Sequence, residues 1–147
     1  MNHIVSFCMA AVAGAAMALQ GTFNTAAGKV IGIGENTLLV HLIGAATMAL
    51  ILLFGFGKGD WSKITEIPWY GYLGGILSAV IIFAVISGMS ALGVGNATAV
   101  IVLFQVAMAL IIDSFGLFGA DKIPFSWWRI LGLALLVAGT KCVFYKS

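Results

Sequence analysis

The sequence predicts an all-α integral membrane protein with five transmembrane helices, organised as a single membrane domain over residues 1–147. Of its 147 residues, 62% are hydrophobic and only 8% are charged, whereas a soluble domain commonly carries about a quarter charged residues. Five acids and seven bases cannot cover a surface that faces water. Five crossings of roughly 20 residues each would use about 100 residues, which leaves room for short loops but not for a second domain.

Five apolar runs of helical length follow one another along the chain, at residues 4–27, 36–56, 69–92, 96–117 and 126–145. A backbone in lipid must satisfy its hydrogen bonds internally, and these runs are too long for barrel strands, so we expect five helices. The first run also resembles a signal peptide that ends in Ala-Met-Ala. Only three residues precede it and none is Lys or Arg, so we expect this helix to be retained.

Gly-rich and charged stretches separate the first three runs. Residues 29–35 are predicted to form a short turn, and Glu35 and Asn36 suit the start of the second helix through capping and the helix dipole. The loop at residues 57–67 holds the densest charge in the chain. Pro68 then suits the first turn of the third helix, where its missing N–H costs little.

The last two helices have similar boundaries. Residues 93–95 predict a tight turn, and Asn96 can cap the fourth helix. Asp121, Lys122 and Pro124 mark the loop before the fifth. With five crossings the termini lie on opposite faces of the membrane, here called side A (the N-terminal side) and side B (the C-terminal side).

Charge gives a small preference for one orientation. Four Lys or Arg residues fall on side A and three on side B, which favours a cytoplasmic N-terminus under the positive-inside rule. Such a near balance also permits insertion in both orientations. The four tryptophans lie toward side A and predict an aromatic belt there: Trp61, Trp69, Trp127 and Trp128.

Small residues recur at spacings of three and four along two of the runs. Such seams let helix backbones approach closely in lipid, although glycine is also common in membrane helices generally. The seams consist of Gly14, Ala18, Gly21, Thr25 and Gly28 in the first run, and Gly71, Gly75 and Ser78 in the third.

Polar side chains inside the membrane are costly and usually face a bundle interior or a wet cavity. Gln20 and Asn24 lie one turn apart in the side-B half of the first helix, and Gln105 lies near the middle of the fourth. We expect these three amides to line a path from side B to the membrane centre and to bind substrate. The alternative is that they form interhelical hydrogen bonds and bind no ligand.

Three titratable residues are candidates for proton coupling: His41, Glu35 and Asp113. An unperturbed histidine titrates near neutral pH, although a neutral, hydrogen-bonded role explains His41 as well. The helix dipole at a helix start is a sufficient explanation for Glu35. For Asp113 the alternative is an ion pair with Lys122 or Arg129.

Other chemistries lack the residues they need. Two histidines and two distant cysteines, without a His-Glu-x-x-His run, make a poor metal site. There is no phosphate-binding loop, and no nucleophile elbow with an acid–base partner. We therefore expect no metal, no other cofactor and no enzymatic activity. The net charge of +2, without a basic run, gives no indication of nucleic acid binding.

Several stretches together resemble the YdcZ-type family of inner-membrane exporters. The first helix carries Gln20 and Asn24 within Leu-Gln-Gly-Thr-Phe-Asn, and the third opens with Trp-Tyr-Gly-Tyr-Leu-Gly-Gly at 69–75. The fourth contributes Gln105 and Ile-Asp-Ser-Phe-Gly-Leu at 112–117, and Arg-Ile-Leu-Gly lies near the start of the fifth. The resemblance spans essentially the whole chain.

The resemblance implies a place in the drug/metabolite transporter superfamily, whose larger members resemble two inverted five-helix halves. This chain would be one half, in a bacterial inner membrane, paired as an antiparallel homodimer or with a homologous five-helix partner. In such a homodimer Cys8 of one copy and Cys142 of the other lie at similar depth. The related small multidrug resistance proteins carry an essential glutamate in the first helix. The first helix here has no carboxylate, which leaves neutral, zwitterionic or anionic solutes open.

Together these features predict a small transporter that exports a small-molecule substrate by alternating access. Its site is expected near the bilayer midplane, where transporter repeats commonly meet. One alternative is a non-transporting membrane interaction or regulatory subunit, whose polar residues serve only helix packing. A lipid scramblase is a third possibility.

Overall fold

The computed structural model describes residues 2–145, and the regular secondary structure in that range is entirely helical. The predicted all-α class is therefore confirmed. The α-helices are α1 (His3–Ile31), α2 (Ile33–Leu53), α3 (Leu73–Leu92), α4 (Val94–Phe115) and α5 (Trp127–Val143). Short 3₁₀ helices cover Trp61–Glu66, Trp69–Tyr72 and Leu117–Gly119. The chain divides into two compact units, Met1–Ser87 and Gly88–Ser147.

Four of these helices are long and apolar enough to cross a membrane, within the part of the chain that the structure describes. They are α1, α2, α3 together with the 3₁₀ turn before it, and α4. The last helix, α5, has 17 residues, which corresponds to about 25 Å at 1.5 Å per residue. Four of the five predicted crossings are thus supported by length and composition, and the fifth stays a prediction.

The Gly-rich turn predicted between the first two helices is wrong. Helix α1 continues to Ile31 and α2 begins at Ile33, so Gly32 alone separates them. Gly32 has φ +97° and ψ 150°, a conformation that only glycine adopts readily. Its N–H donates to the Gly28 carbonyl at 3.0 Å, and its carbonyl accepts from the Asn36 N–H at 3.0 Å. One residue therefore ends α1 and starts α2.

The predicted side-chain caps are also wrong. Gly32 is the N-cap of α2, and Gly93 is the N-cap of α4. Asn36 and Asn96 each lie inside the helix that they were expected to cap. Both helices begin directly after a glycine turn, so they start earlier than the polar residues suggested. Glu35 does lie in the first turn of α2, where its charge suits the helix dipole.

The two glycine turns are copies of one motif. Gly93 has φ +81° and ψ 162°, close to the conformation of Gly32, and its two equivalent backbone hydrogen bonds measure 3.0 and 3.1 Å. The sequence repeats as well: Gly-Ile-Gly-Glu-Asn-Thr at 32–37 returns as Gly-Val-Gly-Asn-Ala-Thr at 93–98. The fifth position is buried in both copies, as asparagine and then as alanine. This repeat was not predicted, because only three of its six positions are identical.

In the first unit, α1 and α3 approach closely at their side-B ends. A Cβ atom added to Gly28 would lie 3.1 Å from Cγ2 of Ile86, and Ile86 is fully buried. Gly21 and Thr25 are buried on the same face of α1, whereas Gly14 has no neighbouring atom within 4 Å of an added Cβ. The small residues of α1 therefore form a packing seam in the side-B half of the helix.

The side-A loop before α3 is ordered by polar contacts. Oδ1 of Asp60 accepts from the Ser62 N–H at 3.0 Å and from the Ser62 hydroxyl at 2.7 Å. These bonds favour the carboxylate and lower the pKa of Asp60. The cap is therefore fully formed at neutral pH and is lost as the pH falls through the lowered pKa. Trp61 lies in this loop and Trp69 just after it, at 73% and 71% exposure, and the aromatic belt stays a prediction.

Candidate functional site

Polar side chains are buried where α1 and α2 meet. We call this set the α1–α2 cluster, and it comprises Asn24, Thr25, Asn36 and Thr37. The threonine hydroxyls of Thr25 and Thr37 donate to carbonyls one turn earlier in their own helices, each at 2.7 Å. This is the usual way for a threonine to satisfy its hydroxyl within a helix. The remaining polar side chains of the cluster are the two asparagines, and they differ in their contacts.

Asn36 joins α2 to α1. It is only 1% exposed, and its Nδ2 donates to the backbone carbonyl of Asn24 at 3.1 Å. A hydrogen bond of this kind contributes about 0.5–1.5 kcal/mol net, and leaving its buried donor unpaired costs about 1–3 kcal/mol. Asn36 therefore holds two helices together, a role quite different from the cap expected of it.

The side chain of Asn24 is in the opposite situation. It belongs to a residue that is only 9% exposed, and its amide makes no hydrogen bond to any other residue in the described range 2–145. Its amide atoms keep some accessible surface, because the buried side-chain atom without a partner among the described residues is Oγ1 of Thr98. An amide held in this way is suited to bind a group that comes from outside the chain.

Two other predicted residues lie beside the cluster. Gln20 is exposed, although it is one turn from Asn24, because it lies at the edge of the buried face of α1. Glu35 is exposed as well, and its carboxylate folds over Gly32, where an added Cβ would clash with Oε2. Neither side chain is buried within the first unit.

His41 connects α2 to α3. Its Nδ1 lies 2.7 Å from the carbonyl oxygen of Thr37, and its Nε2 lies 3.0 Å from the hydroxyl oxygen of Ser78. Both side chains are partly exposed. Ser78 was predicted only as a packing residue, and no spacing in the sequence indicates a partner 37 positions away.

The remaining predicted residues, Gln105 and Asp113, lie on α4 in the second unit. Gln105 is exposed, and Asp113 is partly exposed. Oδ2 of Asp113 lies 3.3 Å from Nη1 of Arg129 on α5, which confirms the expected ion pair and identifies its cation. Convergence of Gln105 with the α1–α2 cluster stays a prediction.

Removing either partner of this ion pair is expected to destabilise the second unit. Asp113→Asn or Arg129→Gln should lower the free energy of unfolding by about 1–3 kcal/mol, between the values for exposed and buried pairs. The double variant should recover most of that loss, because it leaves no unpaired charge. Thermal unfolding of the detergent-purified variants measures this. Lys122→Gln is the control, and an effect as large as that of Arg129→Gln would contradict the assignment.

A mostly apolar cleft of about 450 Å³ lies between α4 and α5. Thr98 lines it, and its Oγ1 is buried without a hydrogen-bond partner among the described residues. Thr37, at the matching position of the repeat, does bond its own helix. On the opposite side of the cleft, the Thr140 hydroxyl donates weakly to the Ala99 carbonyl at 3.5 Å. The threonine hydroxyl of the motif is therefore hydrogen-bonded in the first copy and unpaired in the second, among the described residues.

Comparison with known proteins gives one family and one relative. The family model described as "Putative inner membrane exporter, YdcZ" matches residues 5–142. Inner membrane protein YdcZ of Escherichia coli (strain K12) is 28% identical over 153 aligned positions, which cover 100% of this chain and 99% of that protein. No solved structure matches the chain significantly.

Proposed function

Since the chain belongs to the YdcZ family, we propose that it is a multi-pass inner membrane transporter that exports a small solute by alternating access. Helices α1 to α4 have the length and apolar composition of membrane spans. The 17 residues of α5 fall at the short end of the range for a spanning helix, roughly 17–25 residues. Five crossings make the chain one half of an inverted-repeat bundle.

The observation that carries this proposal is the amide of Asn24, which belongs to a largely buried residue and has no hydrogen-bond partner among the described residues. An amide offers both a donor and an acceptor, and no other described residue uses either of them, so both are available to a solute. Gln20, exposed one turn away on α1, supplies a second amide at the side-B mouth. From its position in the sequence we propose Gln105 on α4 as a further contact of the solute.

The charges favour a neutral or zwitterionic solute. The α1–α2 cluster contains amides and hydroxyls but no ionised group. Asp113, the carboxylate in the side-A half of α4, is already compensated by Arg129, so it is a poor site for a cation or a transported proton. His41 is then the favoured coupling residue, with Glu35 at the mouth of the path.

Two copies inserted in opposite orientations complete the transporter. The near balance of basic residues between the two faces, four against three, allows both orientations in one membrane. Transporter sites commonly lie at the interface of such inverted repeats, close to the midplane. A homologous five-helix partner of fixed orientation would serve the same purpose.

Solute release from proteoliposomes tests the proposal. Vesicles with and without the protein are loaded with a pool of small neutral and zwitterionic metabolites, and the released compounds are identified by mass spectrometry. The proposal expects one or a few compounds to leave the protein-containing vesicles faster. Equal release of every compound from both kinds of vesicle would contradict transport of this class of solute.

A second function, that of a non-transporting interaction subunit, is favoured by Asn36. Its Nδ2 bonds α2 to α1, and that hypothesis requires such a packing role of every polar residue. The two functions differ in what they expect of Asn24, because a packing residue should have a partner within the chain.

A further inference from the structure

The two contacts of His41 fix the position of its proton. A carbonyl oxygen can only accept, so Nδ1, 2.7 Å from the Thr37 carbonyl, must carry a hydrogen. In the neutral ring Nε2 then has a bare lone pair, and it accepts from the Ser78 hydroxyl at 3.0 Å. The tautomer of a histidine is set in this way by the bond that its other nitrogen makes.

We propose that His41 and Ser78 form a proton-responsive pair, in which Nε2 takes up the proton and the Ser78 hydroxyl reverses its hydrogen-bond polarity. The inference rests on the proposed transport function and assigns Ser78 as the residue that communicates the protonation of His41. A hydronium ion transfers a proton to the Nε2 lone pair and leaves as water, and no bond within the protein breaks. Nε2–H then donates to Oγ of Ser78, so the serine must direct its own hydrogen elsewhere.

This reversal changes what α3 offers to a solute. While His41 is neutral, the Ser78 hydroxyl donates its hydrogen to Nε2. Its oxygen lone pairs stay free, so it favours a solute that donates a hydrogen bond. Once His41 is protonated, Ser78 accepts from the ring and presents its hydrogen. A solute with hydroxyl or amine donors therefore competes with the proton, which is the relation that an exchanger needs.

Among the titratable groups on α1, α2 and α3, His41 is the one placed to respond to a proton at this pair. Helix α3 carries no titratable side chain between Leu73 and Leu92. On α1 the titratable residues are His3, Cys8 and Lys29, and on α2 the other is Glu35. Glu35 lies six positions before His41, about 9 Å along the helix axis and on a different face. Within the described residues, His41 has hydrogen bonds only with Thr37 and Ser78.

Nitrogen NMR of the protein in lipid bilayers tests the pair directly. A His3→Gln background labelled with ¹⁵N-histidine leaves His41 as the one reporter. At alkaline pH we expect a protonated Nδ1 and a bare Nε2, and on acidification the new proton should appear on Nε2. Ser78→Ala should move the Nε2 resonance, and Ser78→Thr, which keeps a hydroxyl, should restore it. Ser87→Ala is the matched control, because the Ser87 hydroxyl bonds to the Phe83 carbonyl of its own helix at 2.8 Å.

Two spectroscopic results would each overturn the inference: a bare Nδ1 in the neutral ring, or an Nε2 resonance that Ser78→Ala leaves unchanged. The spectra need no solute. They can therefore contradict the His41–Ser78 pair while solute release supports transport, and they can support the pair while solute release contradicts transport. For a compound identified in the release assay, Ser78→Ala should abolish the pH dependence of release while Ser87→Ala keeps it. Retained pH dependence in Ser78→Ala would also count against the pair.

Discussion

Replacing Gly32 with alanine is expected to lower the free energy of unfolding by about 1–3 kcal/mol, the cost of holding a non-glycine residue in a sparsely populated conformation. At φ +97° the new Cβ is strained whatever space surrounds it, and it also meets the carboxylate of Glu35. The matched control is Gly34→Ala, two residues further on. Gly34 lies inside α2 with no atom within 4 Å of an added Cβ. Alanine is a better helix former than glycine, so Gly34→Ala should cause no loss of stability.

The internal repeat supplies a second copy of this experiment. Gly93→Ala should destabilise as Gly32→Ala does, because its φ is +81°, and Gly95→Ala should behave like Gly34→Ala. Unfolding midpoints of the four detergent-purified variants give the comparison. If Gly32→Ala and Gly34→Ala change the unfolding midpoint by the same amount, the fold does not require the one-residue turn.

Replacing Asn24 with leucine is expected to abolish solute release while leaving the free energy of unfolding unchanged or higher. The substitution removes an amide that has no hydrogen-bond partner within the described chain, so no hydrogen bond is lost. Leucine is also a better helix former than asparagine. A loss of activity without a loss of stability is the signature of a residue that binds solute.

Asn36→Leu is the matched comparison, since it removes the same amide from the other helix of the cluster. It breaks the bond to the Asn24 carbonyl and should lower the free energy of unfolding by about 1 kcal/mol. Release assays and unfolding midpoints are measured on both variants. Should Asn24→Leu destabilise the protein as much as Asn36→Leu does, both asparagines are packing residues and the interaction-subunit function is favoured.

The sequence was sufficient to predict the helical class, because composition alone excludes a water-facing surface. The turns were mispredicted for a local reason. Gly32 and Gly93 adopt a conformation that ends one helix and starts the next within a single residue. Propensity and capping patterns assume longer connections, so they placed Asn36 and Asn96 outside helices that in fact contain them.

The candidate site shows where sequence reasoning stops. Asn24 and Asn36 have the same chemistry and similar settings in the sequence, yet one is paired and the other is not. That difference is decided by the distance between two helices, which spacing along one helix does not encode. The partnership of His41 with Ser78 has the same origin, because it joins residues of α2 and α3.

Labelling of the C-terminus most directly tests whether the transporter is built from two oppositely inserted copies. A cysteine is appended after Ser147 in a Cys8→Ala, Cys142→Ala background, and a membrane-impermeant maleimide is added to sealed vesicles of each orientation. An antiparallel homodimer requires roughly half of the molecules to react in each preparation, as a near-balanced charge distribution allows. Complete labelling in one orientation and none in the other would contradict it.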